Sequence, residues 1–110
     1  MTREEQKLRQ GIIDACLAMN AQGINQGTSG NVSARHGKSM LITPSGVPYE
    51  ELKPADIVAM PLDGGNGAYK GKLAPSSEWR FHLDIMAARP EVGAVVHTHS
   101  TYATALAICG

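Results

Sequence analysis

Two hydrophobic periods alternate along this chain, and their order constrains the fold more than any single motif does. Leu8, Ile12, Cys16 and Met19 recur at spacings of four, four and three, with Ala15 and Leu17 beside them. That is the stripe of an amphipathic helix about five turns long. Thr2-Arg3-Glu4-Glu5 has the form of a capping box at its start, and Gly23 is placed to end it. The period then shortens. Val32 to Arg35, Met40 to Thr43 and Ile57 to Met60 read as short strands. His36-Gly37-Lys38 turns between the first two, and Pro44-Ser45-Gly46 breaks the second. Glu50 to Asp56 holds a short helical turn, Asp63 to Gly67 is a hairpin loop, and Ala68 to Lys72 returns from it. A second helix, capped by Ser76 or Ser77, is expected to run to about Arg89, where Pro90 stops it. Val92 to Val96 is the apolar run of a buried strand, and Ser100 or Thr101 caps a final helix from Tyr102 to Ile108. Helix, strands, helix, strand, helix in that order predicts an α/β fold with an antiparallel or mixed sheet flanked by helices.

Length and charge narrow the function classes. A chain of 110 residues holds one domain at most. Its 43% hydrophobic and 18% charged residues belong to a globular core, not to a disordered tract. Ten basic and ten acidic side chains cancel, so no general field draws the chain to nucleic acid or to a membrane surface. No apolar run reaches bilayer length, and Met1 to Glu5 lacks a signal-peptide pattern. A cytoplasmic protein is expected, with Cys16 and Cys109 as reduced core residues in apolar helical patterns.

The strongest chemical signal is His97-Thr98-His99 at the end of the Val92 to Val96 run. Side chains at i and i+2 of a strand share a face, so the two imidazoles can hold one metal ion. A buried strand end is otherwise a costly place for two polar rings. A catalytic zinc takes three protein ligands and keeps one position open, so this pair needs a further donor. His36 lies in a turn beside Gly37 and is expected in solvent. His82 follows Glu78 by four residues on the same helix face and reads as a surface or packed histidine sooner than as a ligand. Glu78 follows Pro75-Ser76-Ser77 at a helix start, where amides and dipole favour the carboxylate; it is the candidate acid/base. Three turns offer hydroxyls and close backbone approach to an anion: Thr28-Ser29-Gly30-Asn31, Thr43-Pro44-Ser45-Gly46 and Ser76-Ser77. None contains lysine or arginine, and amides with hydroxyls can cradle a phosphate without a cation. Each alone is an ordinary turn; the reading lies in their convergence.

Asn25-Gln26-Gly27-Thr28-Ser29-Gly30-Asn31-Val32-Ser33, Leu41-Ile42-Thr43-Pro44-Ser45-Gly46, Pro75-Ser76-Ser77-Glu78-Trp79-Arg80-Phe81-His82 and Val95-Val96-His97-Thr98-His99 occur in that order. Together they closely resemble the N-terminal half of the class II aldolase/adducin family, over essentially the whole chain. The resemblance implies a three-layer α/β/α fold whose central, mainly antiparallel sheet is covered by helices on both faces. Residues 1–110 would be the N-terminal part of a single domain of this kind. It implies Zn2+, or another divalent metal, on His97, His99 and Glu78, with the family's third histidine ligand later in the chain. It implies Glu78 as acid/base and a substrate phosphate on Thr28, Ser29, Gly30, Asn31, Ser45, Gly46, Ser76 and Ser77. The implied reaction is reversible cleavage of a ketose 1-phosphate, of the L-fuculose 1-phosphate type, to dihydroxyacetone phosphate and an aldehyde. The implied enzyme is a homotetramer with its site at a subunit interface. The family also holds pentulose-phosphate 4-epimerases, methylthioribulose-phosphate dehydratases and non-catalytic adducin-like interaction modules. The epimerases tend to carry aspartate where Glu78 stands, and a non-catalytic module is expected to lose the metal ligands kept here. The aldolase is therefore the preferred reading.

Overall fold

The computed structural model describes residues 2–21, 30–63, 67–97 and 106–109, the last four by their backbone. The first helix, α1, spans Arg3–Ala21. Its start is the expected one, with the Glu5 amide donating to Thr2 Oγ1 at 3.0 Å. The Glu5 carboxylate does not close the capping box. It pairs with Arg9 at 2.9 Å and lies 3.7 Å from His36 Nε2, so the turn histidine expected in solvent is half-buried beside α1. Gly23, the expected end of the helix, lies outside the described residues.

Five strands follow: β1 (Asn31–His36), β2 (Ser39–Ile42), β3 (Val58–Pro61), β4 (Ala94–His97) and β5 (Leu106–Cys109). Their order in the sheet is β3-β2-β1-β4-β5, and every neighbouring pair is antiparallel. The first four stand in Greek-key order, because β4 returns by a long connection to the free side of β1. Gly37, at φ +58, makes the β1–β2 turn in the left-handed region that glycine enters without a Cβ penalty. Two short 3-10 turns, Tyr49–Glu51 and Pro54–Asp56, replace the single helical turn expected before β3.

Strand alternation divides the core between two layers of helix. Val32, Ala34 and Leu41 pack with Ile12, Ile13, Cys16 and Met19 of α1. Met40, Ile42, Val58, Met60 and Val95 pack on the other face with Leu83 and Met86 of the second helix, α2 (Trp79–Ala88). Each fully buried aliphatic side chain contributes about 1.5–3 kcal/mol, so both layers are substantial. The fold is the expected three-layer α/β/α arrangement.

Two details differ from the sequence expectation. The cap of α2 is neither Ser76 nor Ser77 but Glu78, at φ −97 and ψ 21. Ser76 Oγ accepts the Glu78 amide only two residues on, at 3.3 Å, a local turn that postpones the helix. The expected last helix is, over Leu106–Cys109, a strand paired with β4 in the register Ala94↔Cys109 to His97↔Leu106. Four apolar residues are too few for a period to separate helix from strand, and the unpaired edge of β4 supplies backbone partners. No helix among the described residues is long and apolar enough to cross a membrane.

Candidate active site

The site forms where the start of β1, the end of β4 and the start of α2 meet. Asn31 stands opposite His97 in the β1–β4 register, and Ser33 stands opposite Val95. With a period of two, Asn31, Ser33, Val95 and His97 all face the α2 layer. The first turn of α2 brings Glu78 to this face, and one turn later comes His82.

Glu78 Oε2 lies 2.5 Å from His97 Nδ1, with the two side chains 31% and 8% exposed. The carboxylate therefore keeps one side to solvent while meeting a ring almost out of it. The Phe81 ring packs on His97 with centroids 4.7 Å apart and tilted by 34°. His82 is fully buried. Its Nδ1 is 2.6 Å from Ser33 Oγ, and its Nε2 is bonded to Asn31 Oδ1. Burial first, and the neighbouring His97 second, push its pKa down from 6.5 to about 4. His82 is thus neutral at pH 7, a satisfied interior histidine and not a third metal ligand.

The three turns expected to bind an anion come together as far as they are described. The Ser45 amide donates to the Ala74 carbonyl at 3.0 Å, and the Ser76 amide donates to the Thr43 carbonyl at 2.9 Å. These bonds lash the second turn to the third. Thr43 is tied in turn to β1, its amide donating to the Val32 carbonyl at 3.1 Å and its Oγ1 accepting the Val32 amide at 3.3 Å. The Tyr49 hydroxyl donates to the Gly30 carbonyl at 2.5 Å, holding the end of the first turn. Gly46 sits at φ +73, a conformation that L side chains rarely adopt. Ser45, Gly46 and Ser77 are exposed, whereas Gly30, Asn31 and Ser76 are buried. Thr28, Ser29 and His99 lie outside the described residues.

An imidazole and a carboxylate are donors that suit zinc and other divalent transition metals. His97 and Glu78 fit such an ion. Among the described residues no group of three His, Cys, Asp or Glu side chains is placed to hold one. Sequence reasoning missed two residues of the site. The Glu78–His82 spacing placed His82 on the right helix face, but only the packing shows what it meets. Tyr49 carried no chemical signature at all.

The family model described as Class II Aldolase and Adducin N-terminal domain matches residues 10–110. A 5-methylthioribulose-1-phosphate/5-deoxyribulose-1-phosphate aldolase of Rhodospirillum rubrum is 52% identical over 103 residues, which are 94% of this chain and 45% of that protein. An L-fuculose phosphate aldolase of Escherichia coli K12 is 51% identical over 105 residues, 96% of this chain and 47% of that protein. A solved L-fuculose 1-phosphate aldolase superposes with a TM-score of 0.80 at 35% identity, over 87% of this chain and 45% of the other. The chain spans about half the length of the curated relatives it matches.

Proposed function

The chain belongs to the class II aldolase and adducin N-terminal domain family and has the α/β/α fold of its class II aldolase relatives, and on that premise we propose that it carries most of the active site of a zinc-dependent aldolase. The substrate is a ketose 1-phosphate, cleaved reversibly to dihydroxyacetone phosphate and an aldehyde. Residues 1–110 form the N-terminal part of a single domain, in a cytoplasmic homotetramer. The observation that carries this reading is the meeting of Glu78 with His97 at 2.5 Å beside Asn31, where an acid/base, a metal donor and an anion turn adjoin.

His97, His99 and Glu78 would hold the metal, which when bound supplies Lewis-acid polarisation of the substrate carbonyl and hydroxyl oxygens. The phosphate is held by Thr28, Ser29, Gly30 and Asn31, by Ser45 and Gly46, and by Ser76 and Ser77. The backbone bonds that tie Thr43–Ser45 to Ala74–Ser76 support a single cradle. Held there, the substrate keeps its C3–C4 bond within reach of Glu78. As that bond breaks, the C4 hydroxyl passes its proton to solvent water and becomes the aldehyde. The electron pair left on C3 is protonated by Glu78, which removes the same proton in the synthetic direction. The half-exposed carboxylate suits a group that must exchange its proton with solvent.

The relatives' printed names divide between L-fuculose phosphate and 5-deoxyribulose or 5-methylthioribulose 1-phosphate, so the aldehyde end sets the choice between substrates while the phosphate end is shared. The test offers both kinds of ketose 1-phosphate to the full-length protein and follows release of dihydroxyacetone phosphate. Release is expected, stopped by a chelator and restored by zinc. Glu78→Gln is expected to lower turnover roughly 10²–10⁴-fold with phosphate inhibition kept. Interconversion of pentulose 5-phosphates without triose release would establish a 4-epimerase instead. No turnover with any of these substrates would point to the non-catalytic module.

A further inference from the structure

The first and second anion turns leave the sheet at the same place. Thr43 and Val32 make the last bonds between β1 and β2 there, and Gly30 lies two residues further out on the first chain. Beyond that rung the second turn runs to Gly46 and comes back with Tyr49 three residues later, in a 3-10 turn. The Tyr49 ring is buried on the α1 side of the sheet, among Ile12, Ile13, Cys16 and Leu52. From there its hydroxyl reaches the buried Gly30 carbonyl at 2.5 Å. The direction of this bond has one solution. A carbonyl oxygen only accepts, and a phenol has a single hydrogen to give. The Cys16 thiol adjoins the same hydroxyl, and at a pKa pushed up to about 12 by burial it keeps its own proton and makes no claim on the phenol's. The Gly30 carbonyl cannot exchange places with an amide either, because the next residue, Asn31, is held in the ladder by His97.

We propose that Tyr49 is a positioning residue for phosphate binding: its hydroxyl fastens the Gly30–Asn31 end of the first turn to the second turn, so that one anion meets both. The proposal rests on the reading of these turns as a phosphate cradle. The bonds from Ser45 to Ala74 and from Ser76 to Thr43 already join the second turn to the third, so the Tyr49 bond completes the chain of three. A cradle fixed in advance has no ordering cost on binding. Without the hydroxyl, the Gly30 carbonyl is left buried and unpaired, and it regains a partner only by moving away from the second turn. The fastening lies on the α1 side, whereas Glu78 and His97 meet on the face covered by α2. Loosening it therefore touches the hold on the phosphate and spares the metal donors and the acid/base.

Two measurements on the full-length protein test this. Tyr49→Phe removes one oxygen and keeps the ring. It is expected to raise KM for a ketose 1-phosphate about tenfold, the worth of one hydrogen bond, and to raise the inhibition constant of inorganic phosphate in parallel. Turnover at saturation, and zinc affinity measured by competition with a chelator, are expected to stay as they were. Cys16→Ala opens the same core beside the same hydroxyl but leaves the bond to Gly30, so it is expected to lower the melting temperature with KM unchanged. If Asn31→Ala leaves both KM and phosphate inhibition unchanged, the phosphate reading of this turn falls and the proposal with it. If Asn31→Ala raises both while Tyr49→Phe raises neither, the reading of the turn stands and the role of Tyr49 is overturned. A fall in turnover and zinc affinity as large as the rise in KM, or an equal rise in KM from Cys16→Ala, would make Tyr49 a residue of stability alone and overturn the proposal too. The second measurement needs no variant to fold. A crystal structure of the unaltered protein with inorganic phosphate is expected to show the anion touching Gly30 or Asn31 together with Ser45 or Gly46, the Tyr49 bond intact; an anion that meets the second turn without the first would overturn the proposal.

Discussion

At the scale of single residues, the site depends on side chains whose charge state is set by burial. His82 is fully buried, and its folded pKa of about 4 lies below the unfolded 6.5. Above the unfolded value neither state binds the proton, and the histidine has no effect on pH dependence. As pH falls from 6.5 towards 4 the unfolded chain takes up a proton that the folded one refuses, so stability drops; below 4 the loss stops growing. The full span corresponds to about 3 kcal/mol at most. Urea denaturation at pH 7 and pH 5 is expected to show a loss of about 2 kcal/mol from this group. The pH dependence should shrink by that amount in His82→Gln, which has nothing to titrate. An equal slope in both proteins would show that the His82 ring is hydrated. Cys16 follows the same rule with the opposite sign of consequence: burial first raises its thiol to about 12, which leaves it inert to oxidants and electrophiles.

At the scale of elements, α2 matters most, because its ten residues carry His82 and Glu78 is its N-cap. A helix this short is marginal by itself and must be held at its ends. Its start is tied through the Ser76 amide to Thr43. Its end is tied to β1 by Arg35, which donates from Nη2 to the Met86 carbonyl at 2.8 Å and from Nε to the Val92 carbonyl at 2.9 Å. A cation on the last carbonyls of a helix gains from both hydrogen bonding and the dipole. Arg35→Met, which keeps most of the stem, is expected to cost about 1–3 kcal/mol in urea unfolding. A loss under about 0.5 kcal/mol would show that water replaces the guanidinium without penalty. The strand β5 belongs to this scale too. Leu106 to Cys109 has an apolar pattern that fits either regular structure, and the vacant side of β4 decides for the strand.

At the scale of the molecule, the sheet serves as the frame on which distant turns meet. The Greek-key return of β4 beside β1 places His97 opposite Asn31, 66 positions away in the numbering. The same return sets the two ends of the proposed chemistry, metal donor and phosphate donor, on neighbouring strands. Among the described residues, however, His97 meets Glu78 as a pair, and no set of three metal donors comes together. Zinc wants three protein ligands in a catalytic site. Isothermal titration of the 110-residue chain by itself is expected to show weak zinc binding, and sub-nanomolar binding by a monomer of it would mean that the third ligand lies within these residues.

What the sequence determined alone is whatever depends on local chemistry. Thr2 and Glu5 place the start of α1, Gly37 and Gly46 take the positive φ their turns require, and alternation through Val95 to His97 settles which face each side chain serves. The family likeness was equally legible, because it resides in short motifs such as Ser76-Ser77-Glu78 and His97-Thr98-His99. Tertiary structure alone decided the rest. No local signal joins Tyr49 to Gly30, Arg35 to the end of α2, or His82 to Asn31, since each bond spans 19 or more positions and exists only once the layers have packed. It also decided that Glu78, the residue before the helix and not one inside it, turns its carboxylate to His97. The physical reason is the same throughout: propensity and period act over a few residues, whereas a buried polar group takes its partner from whatever element the packing brings within hydrogen-bond reach.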